Sequence, residues 1–138
     1  ASREALRPET IAPIQLDASR SLLTACRYFA LEKLSMDAGS EVSLANAESP
    51  QVVTLLSGAL ALRGGQDEVD LSPGSSGVIW PATDGAALVA REPSVLLRAW
   101  VPDLETDVVG PAREAGASVE ALRALGGMTN DLREVLAR

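Results

Sequence analysis

The side chains of this chain that could carry chemistry are few and scattered. The sequence contains no histidine, and its single cysteine, Cys26, therefore has no imidazole to activate the thiol. A pair of adjacent acids, Asp67 and Glu68, follows Gly64-Gly65, and paired glycines are typical of a hairpin turn, so we expect both acids to face solvent. These residues give no support for a catalytic site of their own.

Two glycines frame the segment in which a metal site would be expected. The spacing from Gly39 to Gly58 resembles the first metal-binding motif of the cupin barrels. Where that motif has two histidines and a glutamate, this chain has Ala45, Ala47 and Gln51. A divalent metal needs imidazole or carboxylate donors to replace its water shell, and two methyl groups and one amide cannot do so. We therefore predict a cupin-like fold that has lost its metal.

The second motif of the cupin barrels is equally degenerate. It centres on a proline at a strand end, which resembles Pro81 after the Pro73-Gly74 turn, with one residue more than the usual spacing. The motif's histidine, five residues after the proline, falls on Ala86. An unrelated β-sandwich with coincidental glycines is the alternative that these spacings leave open. The degenerate ligand positions are Ala45, Ala47, Gln51 and Ala86.

A longer run of residues makes the resemblance more specific. Residues 23–34, LTACRYFALEKL, resemble the segment that opens the carboxy-terminal cupin domain of type I phosphomannose isomerases. The turns at 55–58 (LLSG) and 71–74 (LSPG) and the strand end at 80–82 (WPA) continue this resemblance in order. The similarity covers about residues 20–102, roughly three-fifths of the chain.

The resemblance implies a fold and a partner rather than an active site. Enzymes of that family interconvert mannose 6-phosphate and fructose 6-phosphate with a zinc ion held in an amino-terminal cupin domain. Proton transfer between the sugar carbons needs such an electrophile, and this chain lacks the family's ligands. We therefore assign it no catalytic residue, metal or cofactor. We expect a structural or accessory role beside an amino-terminal catalytic domain of a longer chain, or beside a partner subunit that supplies one.

Two alternatives stay open. The first is a free-standing cupin that binds a sugar phosphate or another small metabolite, with Gln51 and Trp80 as its pocket residues. Gln51 would point into the barrel, although a hydrogen-bonded remnant of the metal site is the commoner outcome. Trp80 could stack on a sugar ring, although packing at the rim is commoner. The second alternative, an isomerase in its own right, is disfavoured by the missing ligands.

One further polar residue deserves two interpretations. Arg98 and Trp100 share a face of the last predicted strand, opposite Val95, Leu97 and Ala99. Arg98 could bind a phosphate group through its planar guanidinium. The pattern favours instead a salt bridge on the outer face of the barrel, or stacking beneath the tail.

The order of elements predicts an all-β fold, a cupin-type β-sandwich or barrel of the jelly-roll kind, with a short helical carboxy-terminal appendage. We expect an irregular amino-terminal arm or linker at 1–20, the barrel at 21–102 and, at 103–138, a helical tail that packs on the barrel or on a partner. Gly110-Pro111 should interrupt any helix early in the tail. The predicted strands are Tyr28–Leu34, Gln51–Ser57, Ala59–Arg63, Val69–Leu71, Val78–Trp80, Ala86–Ala90 and Val95–Val101.

Two short apolar stripes mark the helices of the tail. The first consists of Val119, Leu122 and Leu125 and follows Ser118, a residue typical of helix amino termini. The second consists of Leu132, Val135 and Leu136, with Thr129 as the predicted capping residue. Helices this short do not persist alone in water, so the stripes must be buried. We favour packing on the chain's own barrel, on its outer face near Trp100, and a homodimer interface is the alternative.

The composition excludes several classes of partner. A net charge of −7 with a sequence pI near 4.5, and basic residues that occur singly, disfavour nucleic acids and anionic membranes. No apolar run reaches the length of a membrane span, and residues 1–10 lack the hydrophobic centre of a signal peptide. A single cysteine cannot form an intramolecular disulfide. We therefore predict a cytoplasmic protein.

Overall fold

The structure, a computed structural model, describes residues 10–44 and 48–138. In these residues the chain forms two antiparallel β-sheets that face each other, followed by a helical tail. The predicted all-β sandwich with a short helical end is confirmed. The strands are β1 (Ile14–Gln15), β2 (Arg20–Ala25), β3 (Ala30–Met36), β4 (Glu41–Ser43), β5 (Gln51–Ser57), β6 (Leu60–Gly64), β7 (Asp67–Leu71), β8 (Ser76–Ile79), β9 (Ala87–Ala90) and β10 (Ser94–Trp100).

The last strand lies in the interior of the larger sheet. Among the described residues this sheet has the order β1-β2-β3-β10-β5-β8, and the smaller sheet has the order β4-β9-β6-β7. Because β10 pairs with both β3 and β5, Arg98 lies opposite Glu32 on one side and Val53 on the other. The order therefore brings together polar residues from distant parts of the sequence.

The space between the two sheets is filled by apolar side chains, which we call the sandwich core. On β5 the expected alternation is confirmed, since Val53 and Leu55 are fully buried whereas Val52 and Leu56 are exposed. Each buried leucine contributes about 1.5–3 kcal/mol to stability. The sandwich core contains Leu34, Met36, Leu44, Val53, Leu55, Leu60, Leu62, Leu71, Ile79, Ala86, Leu88, Ala90 and Leu96.

The tail adds a second apolar cluster, the tail core. No helix among the described residues is long and apolar enough to span a membrane. The tail consists of a π-helical segment (Leu104–Val109), α1 (Gly110–Glu114), α2 (Val119–Leu125) and α3 (Asp131–Leu136). The tail core contains Ile14, Leu22, Ala25, Ala30, Trp100, Leu104, Val108, Val109, Ala112, Leu122, Leu125 and Leu132.

Both cores lie on the same face of the larger sheet. On β10, Leu96 belongs to the sandwich core and Trp100 to the tail core, and strand residues an even number apart share a face. Leu34 and Ala30 divide in the same way on β3. The tail thus packs on the chain's own sheet, although Val119 of the first stripe is 41% exposed and does not join the tail core. The expectation that the tail packs on the outer face is wrong. The part of the inner face that carries Ala30 and Trp100 packs against the tail instead of the smaller sheet. The tail therefore covers apolar residues that the smaller sheet leaves exposed.

The helix ends agree only partly with the sequence pattern. The prediction for Ser118 is confirmed, since its hydroxyl accepts a hydrogen bond from the Ala121 backbone N–H at 3.1 Å. The prediction for Thr129 is wrong. Its hydroxyl donates to the Gly126 carbonyl at 2.8 Å, and Asn130 is the residue that precedes α3. The Gly126 carbonyl accepts both the backbone N–H and the hydroxyl of Thr129, so the hydroxyl is turned away from the start of α3.

The predicted interruption at Gly110-Pro111 is also wrong. The π-helical segment runs directly into α1, and the Gly110 N–H bonds to the Glu105 carbonyl. Pro111 lies in the first turn of α1, where a backbone N–H needs no helical partner. The proline is therefore compatible with continuous helical structure.

The amino-terminal arm is less irregular than expected where it is described. Ile14–Gln15 forms a two-residue strand paired with β2, too short to produce a detectable periodicity. The strand predicted from Tyr28 begins at Ala30 instead, and Tyr28 and Phe29 are exposed in the turn before it. Residues 1–9 of the predicted arm lie outside the described residues.

Gly58 lies where two backbone segments approach closely. Its φ is +96°, and a Cβ built on it would lie 2.3 Å from the Pro93 carbonyl oxygen and 2.7 Å from the Ser94 Cα. Gly39 has a similar φ of +81°, but a Cβ there would meet nothing within 4 Å. Gly58 is therefore required by the close approach of two backbone segments, whereas Gly39 is favoured only by its positive φ.

We predict that Gly58→Ala lowers the free energy of unfolding by about 2–5 kcal/mol, because backbone overlap adds to the strain of a positive φ. Gly39→Ala is the matched control and should cost only the conformational strain, about 1–2 kcal/mol. Urea denaturation of both variants measures the difference. Equal losses would contradict the close approach at Gly58.

Candidate functional site

An open cavity of about 720 Å³ lies where the sandwich meets the start of the tail. The carboxyl end of β10, the start of β5 and the π-helical segment each contribute to its wall. This position follows from the sheet order, because Trp100 pairs with Gln51 across neighbouring strands. The polar and aromatic residues on its wall include Glu48, Gln51, Arg98, Trp100, Asp103 and Asp107.

The structure separates the four degenerate ligand positions. Gln51 is buried in the cavity wall, and its Nε2 donates a hydrogen bond to the Leu44 carbonyl at 3.0 Å. Ala86 is buried in the sandwich core and lines a neighbouring crevice of about 10 Å³. Ala45 and Ala47 lie outside the described residues. Gln51 is therefore the described ligand position with a polar side chain at the cavity.

Trp80 lies away from this cavity. It follows β8 and is 66% exposed. It lines the small crevice beside Ala86, which Gln51 also lines. A volume of about 10 Å³ holds no more than one water molecule. The predicted pocket residues therefore share a crevice too small for a sugar, and Gln51 alone of the two lines the larger cavity. We also expected Trp80 to pack at the rim of the barrel, but a ring that is 66% exposed is not packed.

Arg98 lies on the inner face of the larger sheet rather than on its outer face. It shares that face with Leu96 of the sandwich core, and it lines the cavity. Its guanidinium carbon lies 4.0 Å from the centroid of the Trp100 ring, a favourable cation–π distance. Burial lowers the pKa of Arg98 below its ordinary value, and the nearby Glu32 carboxylate partly offsets this effect. The expected stacking beneath the tail is confirmed, whereas the expected salt bridge lies on the inner face, with Glu32, and not on the outer face.

A buried ion pair lies behind Arg98. Glu32 is fully buried, and its two carboxylate oxygens accept hydrogen bonds from Arg20, Oε1 from Nε at 3.0 Å and Oε2 from Nη2 at 2.9 Å. The hydrogen bond to Glu32 raises the pKa of Arg20. Sequence analysis missed both residues, although one signal was present. Glu32 alternates with Ala30 and Leu34, which marks it as an inner-face residue.

The tail provides the opposite wall of the cavity. Asp107 Oδ2 accepts hydrogen bonds from the Trp100 indole N–H at 3.3 Å and from the Asp103 backbone N–H at 2.9 Å. Asp103 caps the π-helical segment, because its carboxylate accepts from the backbone N–H groups of Glu105 and Thr106. The bond from Thr106 contributes most to lowering the pKa of Asp103. Two of the cavity's carboxylates are therefore engaged within the chain.

The other residues considered from the sequence lie elsewhere. Cys26 is buried, as expected. Asp67 and Glu68 begin β7 instead of forming the turn, and they are exposed. Arg91 forms ion pairs with Glu68 and with Asp70 at 3.1 Å each. These acids are therefore surface residues of the smaller sheet and take no part in the cavity.

Comparison with solved structures identifies the architecture. An RmlC-like cupin from Shewanella frigidimarina superposes with a TM-score of 0.59 over 71% of this chain and 89% of its own, at 19% identity. The chain has a cupin fold. KdgF from a Halomonas species matches with a TM-score of 0.58 over 69% of this chain and 91% of its own, at 17% identity. A conserved protein of unknown function from Streptococcus pyogenes gives 0.55 over 61% and 74%, at 24% identity.

At these identities the matches show the cupin fold and no activity. They provide no specific link to the phosphomannose isomerases. No protein-family model and no curated protein matches the sequence. Within residues 10–44 and 48–138 no group of three or more histidine, cysteine, aspartate or glutamate side chains is arranged to hold a metal ion. What the cavity does provide is a guanidinium, an amide, an indole and carboxylates, a set suited to binding a small polar molecule.

Proposed function

We propose that this cupin domain binds a small polar metabolite in the cavity beside Arg98 and Trp100, without a metal at the former ligand positions. The cavity itself carries the proposal, because about 720 Å³ falls within the usual size range of small-molecule sites. Gln51 and Arg98 supply polar groups on one wall, and Asp107 supplies another on the facing wall. Ligand sites in β-barrels commonly occupy the mouth in this way.

A cavity-filling substitution tests this proposal. A small-metabolite library is screened by thermal shift, since a ligand that binds only the folded chain raises the melting temperature. Thr106→Trp places a large side chain at the cavity wall and should abolish the shift caused by any true ligand. Thr54→Trp, the same change on the outer face of β5, is the matched control and should retain it. Ligands unaffected by Thr106→Trp would contradict binding in the cavity.

We predict that the purified chain binds no stoichiometric zinc, manganese, iron or nickel at the former ligand positions. Among Ala45, Ala47, Gln51 and Ala86 only one weak amide donor is present, and these metals require stronger donors. Elemental analysis after dialysis against a chelator measures the metal content. One retained metal ion per chain, lost in the Gln51→Ala variant, would overturn the prediction.

A structural or accessory domain beside the catalytic cupin of a mannose-6-phosphate isomerase is the second candidate. One observation favours it: the segment that resembles those enzymes, residues 23–34, presents Tyr28 and Phe29 at 68% and 47% exposure. Exposed aromatic residues of this kind are common at protein interfaces. A catalytic amino-terminal domain, a partner subunit and a second copy of the chain are the partners this role allows. A cytoplasmic location stays a prediction.

An assay of mannose 6-phosphate isomerisation distinguishes the metabolite-binding and accessory roles from an isomerase. The isolated chain should not isomerise mannose 6-phosphate, even with added zinc, because the required electrophile and its ligands lie outside it. In the accessory role, Tyr28→Ser with Phe29→Ser should weaken association with a catalytic domain while leaving the fold intact. Turnover by the chain alone would overturn both candidates.

A further inference from the structure

Two guanidinium groups share one carboxylate behind the wall of the cavity, and Arg98 is the member of the cluster that lines it. Both oxygens of Glu32 are occupied by Arg20, at 3.0 and 2.9 Å. Arg98 Nη1 lies 4.0 Å from Glu32 Oε1, within ion-pair range but beyond hydrogen-bonding distance. Two guanidinium groups and one carboxylate leave these three side chains with a net charge of about +1, which the Asp107 carboxylate across the cavity offsets only in part.

The guanidinium of Arg98 is also short of hydrogen-bond acceptors. Its side chain is only 17% exposed, and its Nε is buried without an acceptor in the part of the chain that the structure describes. The Trp100 ring covers the guanidinium plane but accepts no conventional hydrogen bond from its edge. A buried N–H without an acceptor is costly and unusual in native proteins, so Arg98 is poorly satisfied within the chain. The part of its guanidinium that lines the cavity is therefore available to an acceptor from a ligand.

The remaining charges around the cavity restrict the ligand. Glu48, Asp103 and Asp107 line it as well, and the last two already accept hydrogen bonds within the tail. These carboxylates repel a dianion such as a phosphate monoester more strongly than a monoanion. A carboxylate carries a single charge and matches the planar guanidinium in shape.

We propose that Arg98 binds the carboxylate of a small monocarboxylic acid in this cavity. Arg20 and Glu32 act as positioning residues, because Arg20 holds the Glu32 carboxylate in place and that carboxylate attracts the Arg98 guanidinium. The Trp100 ring, 4.0 Å from the guanidinium carbon, restricts the position of the Arg98 head group. This inference rests on the proposed function, since it names the chemical class of the metabolite.

Binding is tested with a set of monocarboxylates from acetate to benzoate, with the corresponding amides as neutral controls and inorganic phosphate at matched ionic strength. The Nε–H resonance of Arg98 in ¹⁵N-labelled protein, assigned by its loss in Arg98→Met, reports a change in the surroundings of the guanidinium when an anion binds. We expect at least one carboxylate to shift this resonance, and its amide to leave it unchanged. Arg98→Met should raise the Kd about 10- to 100-fold. Arg63→Met, which removes the exposed ion pair with Glu41, is the control and should leave the Kd unchanged.

The stability of the unliganded variant gives an independent measurement. A guanidinium kept for binding is unfavourable in the empty cavity, so Arg98→Met should keep or raise the melting temperature. A clear decrease would overturn the proposal and indicate a structural role. Carboxylate binding that survives Arg98→Met, or phosphate binding tighter than any carboxylate, would overturn it as well.

The outcomes also separate this inference from the proposed function. If neutral compounds bind and Thr106→Trp abolishes their binding, while no carboxylate depends on Arg98, only the inference fails. If Thr106→Trp affects no compound of either kind, both fail.

Discussion

The Leu122→Asp variant is expected to lose at least about 4 kcal/mol of its free energy of unfolding. Leu122 is fully buried in the tail core, and removing such a side chain costs about 2–5 kcal/mol before the added penalty for a buried carboxylate. This loss is comparable to the whole stability of a small domain. Thermal melts followed by circular dichroism, together with sedimentation velocity, measure stability and mass.

The same helix supplies a control for Leu122→Asp. Ala124→Asp introduces the identical side chain at an exposed position of α2 and should cost only about 1–1.5 kcal/mol, from the lower helix propensity of aspartate and its charge near the carboxyl end of the helix. Because Leu122 is buried within the chain, its substitution should not change the balance between monomer and oligomer. A concentration-dependent loss of mass with the monomer's melting temperature preserved would show that α2 serves a partner interface instead.

The Glu32→Gln variant is expected to have the second-largest effect, a loss of about 3 kcal/mol. The substitution keeps the size of the side chain but removes the carboxylate that Arg20 and Arg98 share, and breaking a buried pair costs about 3–5 kcal/mol. We expect the lower end of that range because the Arg20 side chain is 40% exposed. Urea denaturation measures the loss.

Two comparisons make the Glu32 prediction specific. Glu41→Gln removes an exposed partner of Arg63 and should cost less than about 1 kcal/mol. Adding Arg98→Met to Glu32→Gln should recover part of the loss, because it removes one of the uncompensated charges. If the double variant is no more stable than Glu32→Gln alone, Arg98 does not interact with the pair as the distances indicate.

The parts of the fold that could be predicted from the sequence are those with a strong local signal. Alternation on β5 correctly placed Val53 and Leu55 inside, and the glycine pair before β7 correctly marked a hairpin. β1 has only two residues, and no periodicity can reveal so short a strand. The predicted capping role of Thr129 was wrong because its hydroxyl bonds back to the Gly126 carbonyl in the turn between α2 and α3, and the sequence does not reveal the conformation of that turn.

The candidate site was harder to predict because both faces of β10 are apolar. The pattern showed that Arg98 and Trp100 share a face, but Val95 and Leu97 made the opposite face look like the interior. Only the pairing of β10 with β3 and β5 shows that Leu96 points inward together with Arg98. The inward direction of the Gln51 side chain was predicted correctly, because in the motif that it resembles the ligand positions point into the barrel.

The larger sheet contributes to two separate cores, so we expect its two parts to unfold in separate steps. β5 and β8 contribute only to the sandwich core, β1 and β2 only to the tail core, and β3 and β10 to both. Native-state amide exchange should therefore show two tiers of protection, with α2, α3 and the β1–β2 edge exchanging through a partial opening. The amides of β5 and of β10 near Leu96 should exchange only through global unfolding. Because the cavity lies at the boundary, its ligand would stabilise the weaker unit against opening.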